Sequence, residues 1–243
     1  MKESNTTGLQ DAKIKALLYG KSKTGKTSSA LTLKPETTLI LSAESGLLPL
    51  ASKNFTVWEI ENFEDMITAY KRLQEPEMQK KFKVIFIDSL TEVNELCKEQ
   101  ILRGSRPVES KEPVKVTKEM MTQPDWGILL VRMVGLVRKF RDLPYHVIFT
   151  ALEDNVKDEL MGGISFIPSL NGKFATNVPG FFDEVFRMVT KEEEGKMVRY
   201  FYTAKAENTI TGDRSGALDD YEKPSWAVVF KKIFDKFKVR EEK

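Results

Sequence analysis

The sequence has very little cysteine and histidine, with one of each among 243 residues. A lone cysteine, Cys97, cannot form an intrachain disulfide, and no metal-ligand spacing surrounds the lone histidine, His146. No apolar run approaches the roughly 18 residues of a membrane-spanning helix, and residues 1–6 are too polar for the core of a signal peptide. We therefore expect a cytoplasmic protein with no membrane contact, in which His146 packs or caps and Cys97 belongs to the core.

An excess of charge of one sign is also lacking. The 38 Lys and Arg residues against 36 Asp and Glu leave a net charge of +2, so no global basic field indicates a nucleic acid. Any such contact must come from local clustering. The composition, 41% hydrophobic and 30% charged, excludes a disordered chain.

Short apolar runs that are rich in branched residues alternate with segments of helical periodicity. Continuous strand hydrophobicity of this kind is typical of parallel strands buried on both faces. We predict an α/β fold with a mainly parallel sheet, helices on both faces and a C-terminal hairpin. The predicted single domain spans residues 1–243, with a core over about 13–218, a hairpin of strands 185–190 and 198–203, and a C-terminal helix over about 224–238.

One segment carries a strong chemical signal. Residues 20–27 fit the pattern G-x-x-x-x-G-K-[ST] in full, between a predicted strand and a predicted helix. The glycines allow backbone angles barred to other residues, so that consecutive N–H groups point at phosphate oxygens. Lys26 would reach the β- and γ-phosphates, and the Thr27 hydroxyl would bind Mg²⁺. The predicted nucleotide contacts are Gly20, Ser22, Lys23, Thr24, Gly25, Lys26, Thr27 and Ser28.

A carboxylate follows another buried strand, where four apolar residues, 84–87, lead directly to Asp88. A magnesium-bound triphosphate needs a carboxylate at a neighbouring strand end. We therefore predict that Asp88 joins Thr27 in the metal shell.

The residue after Asp88 is Ser89, whereas many ATPases place the water-activating glutamate there. Glu44 stands just beyond the strand at 38–41, and ligands bind at the carboxyl ends of such strands. We predict that Glu44 orients and deprotonates the attacking water, with Glu92 as its rival.

Two classes of nucleotide-binding protein are disfavoured by missing motifs. Residues 88–91 lack the glycine of a GTPase DxxG switch, and no Asn-Lys-x-Asp segment is present. No Leu-Ser-Gly-Gly-Gln segment of a transporter ATPase is present either. A motor or recombinase ATPase remains.

The ordered motifs resemble those of RecA-like P-loop ATPases, and more closely those of phage ATP-binding proteins proposed as single-strand annealing recombinases. The resemblance covers roughly residues 13–218 and includes three later pieces, Asp125-Trp126-Gly127, residues 179–185 and residues 212–216. It implies a RecA-like P-loop NTPase core, ATP and Mg²⁺ as cofactors, and the host cytoplasm as location. Where the family often shows a histidine after the fourth strand, this chain has Leu152 and Glu153.

The resemblance also implies self-association into a ring or filament with ATP at the subunit interface. In such relatives a cation from the neighbouring subunit completes the site. Arg214 matches that place, and Lys205 matches it less well. Such a cation would neutralise charge that develops on the transferred phosphoryl group.

Single-stranded DNA is the partner that the resemblance implies, through two irregular stretches at 103–118 and 155–180. Phe166 and Phe174 are candidate platforms for stacked bases. The candidate DNA-binding cations are Arg103, Arg106, Lys115, Lys157 and Lys173.

Two other functions remain open at this point. The nucleotide could act only as an assembly switch with a protein partner, with slow or absent turnover. A small P-loop kinase is the third alternative, although no lid that carries arginines is recognisable.

Overall fold

The computed structural model describes residues 13–104, 121–157, 163–206 and 208–238. Short 3-10 helices lie at Thr27–Thr32, Pro35–Thr37, Leu48–Leu50 and Val178–Phe181. The strands and α-helices follow in the order β1 (Lys15–Gly20), β2 (Thr38–Ser42), β3 (Thr56–Glu59), α1 (Phe63–Arg72), α2 (Pro76–Lys81), β4 (Val84–Asp88), α3 (Leu90–Gly104), α4 (Gln123–Arg141), β5 (His146–Lys157), β6 (Ile164–Pro168), α5 (Lys173–Asn177), β7 (Glu184–Glu193), β8 (Lys196–Tyr202), β9 (Gly212–Asp213), β10 (Tyr221–Glu222) and α6 (Trp226–Lys238).

The sheet has the strand order β10-β8-β7-β1-β5-β4-β2-β3, with β6 paired to β5 and β9 paired to β7. The six strands from β7 to β3 are parallel to one another, and β8 runs back beside β7 as the second strand of the predicted hairpin. One strand, β5, therefore separates β1, which leads into residues 20–27, from β4, which ends at Asp88. The carboxyl ends of the parallel strands meet at one edge, and this edge holds the candidate site.

Alternate residues of the strands pack into two hydrophobic layers, one on each face of the sheet. Leu17 and Tyr19 of β1 pack on the side of α1, α3 and α4. Ala16 and Leu18 pack on the other side, under α6 and the 3-10 helix that begins at Thr27. Burial on both faces explains the continuous hydrophobicity of the strands. The predicted α/β fold with helices on both faces is confirmed.

The start of α1 was predictable from two residues. The Asn62 side chain accepts from the Asp65 backbone N–H at 3.1 Å, and the Asp65 carboxylate accepts from the Asn62 backbone N–H at 3.1 Å. This reciprocal pair is a capping box, which satisfies two backbone donors at the first turn.

The lone histidine and cysteine have structural roles. The Ile14 backbone N–H donates to His146 Nδ1 at 3.0 Å, and the imidazole stacks on Phe230 with 4.8 Å between ring centroids. Burial, aided by the charges of Lys13 and Lys15, lowers the pKa of His146 to about 4, so the ring is neutral at pH 7. Cys97 is buried among core residues, and burial raises the pKa of its thiol to about 11.

The irregular stretch predicted at 155–180 is partly wrong. Strand β5 extends to Lys157, β6 pairs with it, and α5 follows. Polar and glycine residues obscure the strand pattern there, while backbone pairing and the side chain of Phe166 hold the hairpin. In the other stretch, Arg103 belongs to α3, whereas Arg106 and Lys115 lie outside the described residues.

Among the described residues, no helix combines the length and apolar character that crossing a membrane requires.

Candidate functional site

The predicted phosphate loop connects the end of β1 to the 3-10 helix at Thr27–Thr32. Gly25 has φ +101°, and Lys23 has φ +62°, so two residues of the loop adopt the left-handed region. Gly20 was expected to provide an unusual backbone angle, but its φ is not positive. A Cβ on Gly20 would lie 2.9 Å from the Cβ of Met188 in β7, so this glycine allows close packing of β1 against β7.

Lys26 is buried at the base of this loop, with 6% of its surface exposed. Its Nζ donates to the carbonyl oxygens of Gly20 at 2.8 Å and Lys21 at 2.9 Å. Burial lowers the pKa of Lys26, and the nearby carboxylates of Glu44, Asp88 and Glu153 act in the opposite direction. An ammonium group has three N–H donors, so one donor remains for a phosphate oxygen.

Thr27 and Asp88 converge at the carboxyl edge of the sheet. The Thr27 hydroxyl donates to Asp88 Oδ2 at 2.6 Å. The other oxygen, Oδ1, accepts from the hydroxyl of Thr150 on β5, the strand between β1 and β4. Thr150 was not predicted, because nothing in its local sequence separates it from other strand residues. The structure therefore brings the two predicted metal ligands, Thr27 and Asp88, into contact.

Glu44 lies beside Asp88, as the parallel pairing of β2 with β4 dictates. The Ser89 hydroxyl donates to Glu44 Oε1, and the Glu44 backbone N–H donates to the Asp88 carbonyl oxygen at 3.3 Å. Glu44 is exposed, whereas Glu92 is partly buried. Burial and the charge of Glu44 raise the pKa of Glu92. Ser89 thus contacts both candidate bases, through the Glu44 carboxylate and, at 3.4 Å, the Glu92 backbone N–H.

The family follows from the sequence match. A sequence model of the AAA domain family matches residues 12–215. The chain belongs to this AAA domain family. Comparison with curated proteins gives no match. Among solved structures, the crystal structure of a KaiC-like protein from the archaeon Pyrococcus horikoshii OT3 aligns with 12% identity and a TM-score of 0.42, over 80% of this chain and 79% of that chain.

The residues of the AAA domain fit a magnesium nucleotide. Among the described residues no cluster of three or more His, Cys, Asp or Glu side chains could hold a metal ion alone. Mg²⁺ in nucleotide sites does not need such a cage, because one or two protein ligands act with phosphate oxygens and water. A threonine hydroxyl and a carboxylate that meet beside a buried lysine match this requirement.

The helix α6, which follows the matched residues, supports the phosphate loop of the AAA domain. Trp226 is fully buried, and its Nε1–H donates to Ser29 Oγ at 2.9 Å. Ser29 Oγ donates in turn to the Lys26 carbonyl oxygen at 2.5 Å. The Trp226 backbone N–H donates to Thr32 Oγ1 at 2.9 Å. These hydroxyls donate to carbonyl oxygens three residues earlier, within a segment that forms a 3-10 helix instead of the predicted helix.

An ion pair borders the site one residue after Leu152, the position where the resembling family often shows histidine. Glu153 accepts from Arg187 through two bonds of 2.7 and 3.1 Å, and its side chain is only 2% exposed. The Arg187 guanidinium also lies 3.6 Å from the ring centroid of Phe166 in β6. Phe166 is thus already covered on one face, and Phe174 is buried at 1% exposure. Phe174 is therefore not a platform for stacked bases, because the core covers it.

Arg214 lies at the opposite edge of the sheet from the phosphate loop of its own chain. It pairs with Asp183 at 3.0 Å, and the Asp183 backbone N–H donates to the carbonyl oxygen of Lys15, the first residue of β1. Its side chain is 61% exposed. Lys205 is exposed beyond the end of β8. The structure does not bring Arg214 to its own Lys26.

The described DNA-binding candidates lie on three separate elements. Arg103 is 13 residues beyond the start of α3, about 20 Å along that helix, and pairs with Glu99 at 3.3 Å. Lys157 ends β5, and Lys173 begins α5. Lys173 lines a cavity of about 350 Å³ between α3, α4 and the loop before α5.

Substitution of Trp226 by Phe tests the support of the phosphate loop by α6. We expect the free energy of unfolding to fall by about 1 kcal/mol, because one buried hydrogen bond is lost, and nucleotide affinity to fall several-fold. Chemical denaturation and nucleotide titration measure the two effects. The matched control is Val228→Ala, a partly exposed position of the same helix.

The effects of Trp226→Phe and Ser29→Ala should be less than additive in the double variant, since both remove the same bond. A loss of stability with unchanged nucleotide affinity would reduce α6 to a packing role.

Proposed function

We propose that this AAA domain is a Mg²⁺-dependent ATP hydrolase that binds single-stranded DNA and assists recombination or strand annealing. The observation that carries the hydrolase activity is the convergence of Lys26, Thr27 and Asp88 at one sheet edge, with Glu44 beside them. Each group has a role in phosphoryl transfer that its position allows.

In the proposed reaction, Lys26 binds the β- and γ-phosphates through its remaining N–H donor. Thr27 and Asp88 would hold Mg²⁺, which would supply charge neutralisation at the same phosphates. Glu44 accepts a proton from the attacking water, whose oxygen bonds to the γ-phosphorus while the bond to the ADP oxygen breaks. The exposure of Glu44 leaves its carboxylate accessible to that water.

The proposal that DNA is coupled to this site is supported by the β5–β6 hairpin. It leaves the sheet at the edge where the phosphate loop lies, since Gly20 is level with Leu152 and β5 continues five residues further to Lys157. The ion pair of Glu153 and Arg187 connects the base of this hairpin to β7. Lys157 at the end of β5 therefore lies beyond the same edge of the sheet as the phosphate loop.

The proposed recombination role depends on the resemblance to the phage annealing group, and self-association depends on the same resemblance. The exposure of Arg214, far from its own phosphate loop, supports a role in a neighbouring subunit's site. The same feature favours the alternative of a nucleotide-dependent assembly switch with a protein partner. DNA dependence of hydrolysis separates the two functions.

The steady-state rate of ATP hydrolysis, with and without single-stranded DNA, tests the proposed function. We expect DNA to stimulate the wild type, and Lys26→Ala to abolish turnover because the phosphate ligand is lost. Lys157→Glu should weaken the stimulation, whereas Lys34→Glu, an exposed change before β2, should not. Hydrolysis indifferent to DNA would overturn the DNA role and favour the assembly switch.

Substitution of Glu44 by Gln tests the assignment of the base. We expect turnover to fall by about a hundredfold or more, because the amide cannot accept the proton, while ATP binding persists. Glu92→Gln is the matched comparison on the neighbouring helix. If Glu92→Gln stops turnover and Glu44→Gln does not, the base is Glu92.

Mixing two inactive variants tests Arg214. Arg214→Ala should bind nucleotide without turnover, because its own phosphate loop is intact. Mixed with Lys26→Ala subunits, it should recover activity, since an intact loop then meets an intact arginine from a neighbour. Normal hydrolysis by Arg214→Ala alone would remove this residue from the site.

A further inference from the structure

The β7–β8 hairpin lies directly beside the phosphate loop and carries an arginine that sequence patterns did not single out. The close approach of Met188 to Gly20 holds β7 against the start of the loop. Two residues further along β7, Thr190 pairs with Arg199 of β8. The hairpin thus extends past the end of β1 and places Arg199 at the level of the loop.

The Arg199 side chain lies over the backbone of the loop at Gly25. A Cβ on Gly25 would lie 3.0 Å from Arg199 Nη1 and 3.3 Å from both Cδ and Cζ. Gly25 is the residue before Lys26, and its positive φ turns the backbone at the point where N–H groups meet phosphate oxygens. The guanidinium is therefore beside the region that the phosphate chain occupies in loops of this pattern.

Arg199 is exposed, and its guanidinium has no ion pair, hydrogen bond or ring contact among the described residues. Arg187 on the neighbouring strand β7, by contrast, is engaged by Glu153. The conformation of Arg199 thus comes from its strand position rather than from a carboxylate. Its N–H donors remain available for an anion.

The positive charge of the loop also favours an anion beside Arg199. Lys21, Lys23 and Lys26 lie within one loop, and the described residues offer Lys21 and Lys23 no carboxylate partner. The guanidinium of Arg199 adds a fourth positive charge at Gly25, and the repulsion among these cations is relieved when an anion binds between them. A guanidinium also presents paired N–H donors that match phosphate oxygens, and such charge-assisted bonds are the strong ones.

We propose that Arg199 is a phosphate-binding residue that acts on the nucleotide of its own chain. The proposal deepens the function proposed above, since it rests on nucleotide binding at the loop that ends in Lys26 and Thr27. Arg199 binds the phosphate chain from the side of β8, opposite the buried amine of Lys26. It contributes to nucleotide affinity in a single chain, whether or not a neighbour supplies Arg214.

Equilibrium titration with ATP, ADP and inorganic tripolyphosphate tests this proposal. We expect Arg199→Ala to weaken all three by about tenfold, the effect of losing a charge-assisted hydrogen bond, and Arg199→Lys to recover part of the loss. Lys196→Ala, an exposed change on the same strand, is the matched control. A circular dichroism spectrum shows that each variant is folded.

The outcomes separate this proposal from the one on which it rests. If the wild type binds none of the three probes, both proposals are overturned. If the wild type binds and Arg199→Ala binds equally well, only the role of Arg199 is overturned. A mixture of Arg199→Ala with Lys26→Ala should not recover affinity, because neither chain then has both cations at its own loop. Recovery would place Arg199 in a neighbour's site instead.

Discussion

The two carboxylate oxygens of Asp88 join three segments of the chain that are distant in sequence. One oxygen accepts from Thr27 after the phosphate loop, and the other accepts from Thr150 on the intervening strand. Asp88 is only 2% exposed, and hydrogen bonds to both of its carboxylate oxygens offset the cost of burying them. The parallel register of β1, β5 and β4 makes this possible, since it brings the three strand ends to one edge. Glu44 and Ser89 lie at the same edge because they follow the ends of β2 and β4, which pair side by side.

Buried charge at this edge is balanced between neighbours. Burial lowers the pKa of Lys26, and the three carboxylates of Glu44, Asp88 and Glu153 keep the ammonium form favourable. Glu153 is in turn fixed by Arg187, which also covers the ring of Phe166. Lys26 and the β5–β6 hairpin are thus linked electrostatically through Glu153.

Features that depend on short sequence segments were predictable, and features that depend on distant contacts were not. The phosphate loop, the strand that ends in Asp88 and the capping box of α1 each lie within eight residues or fewer of sequence. The contacts of Trp226 with Ser29 and of Arg199 with Gly25 join segments that only the fold brings together. Strand β6 was missed because its neighbourhood is polar and rich in glycine, and pairing with β5 outweighs that composition.

Two arginines of the chain, Arg199 and Arg214, differ in their position relative to the phosphate loop. Arg199 lies over Gly25 of its own loop, whereas Arg214 lies near Lys15, at the far end of β1. Five residues of extended strand separate these ends by about 16 Å, so the two arginines of one chain do not lie at the same phosphate loop. A cation that raises nucleotide affinity within one chain lies beside the phosphate loop of that chain. A cation that acts on the nucleotide of a neighbouring subunit lies away from its own loop. The proposed roles of Arg199 and Arg214 satisfy these opposite requirements. Under these proposed roles, nucleotide affinity belongs to the single chain, and turnover depends on contact between chains.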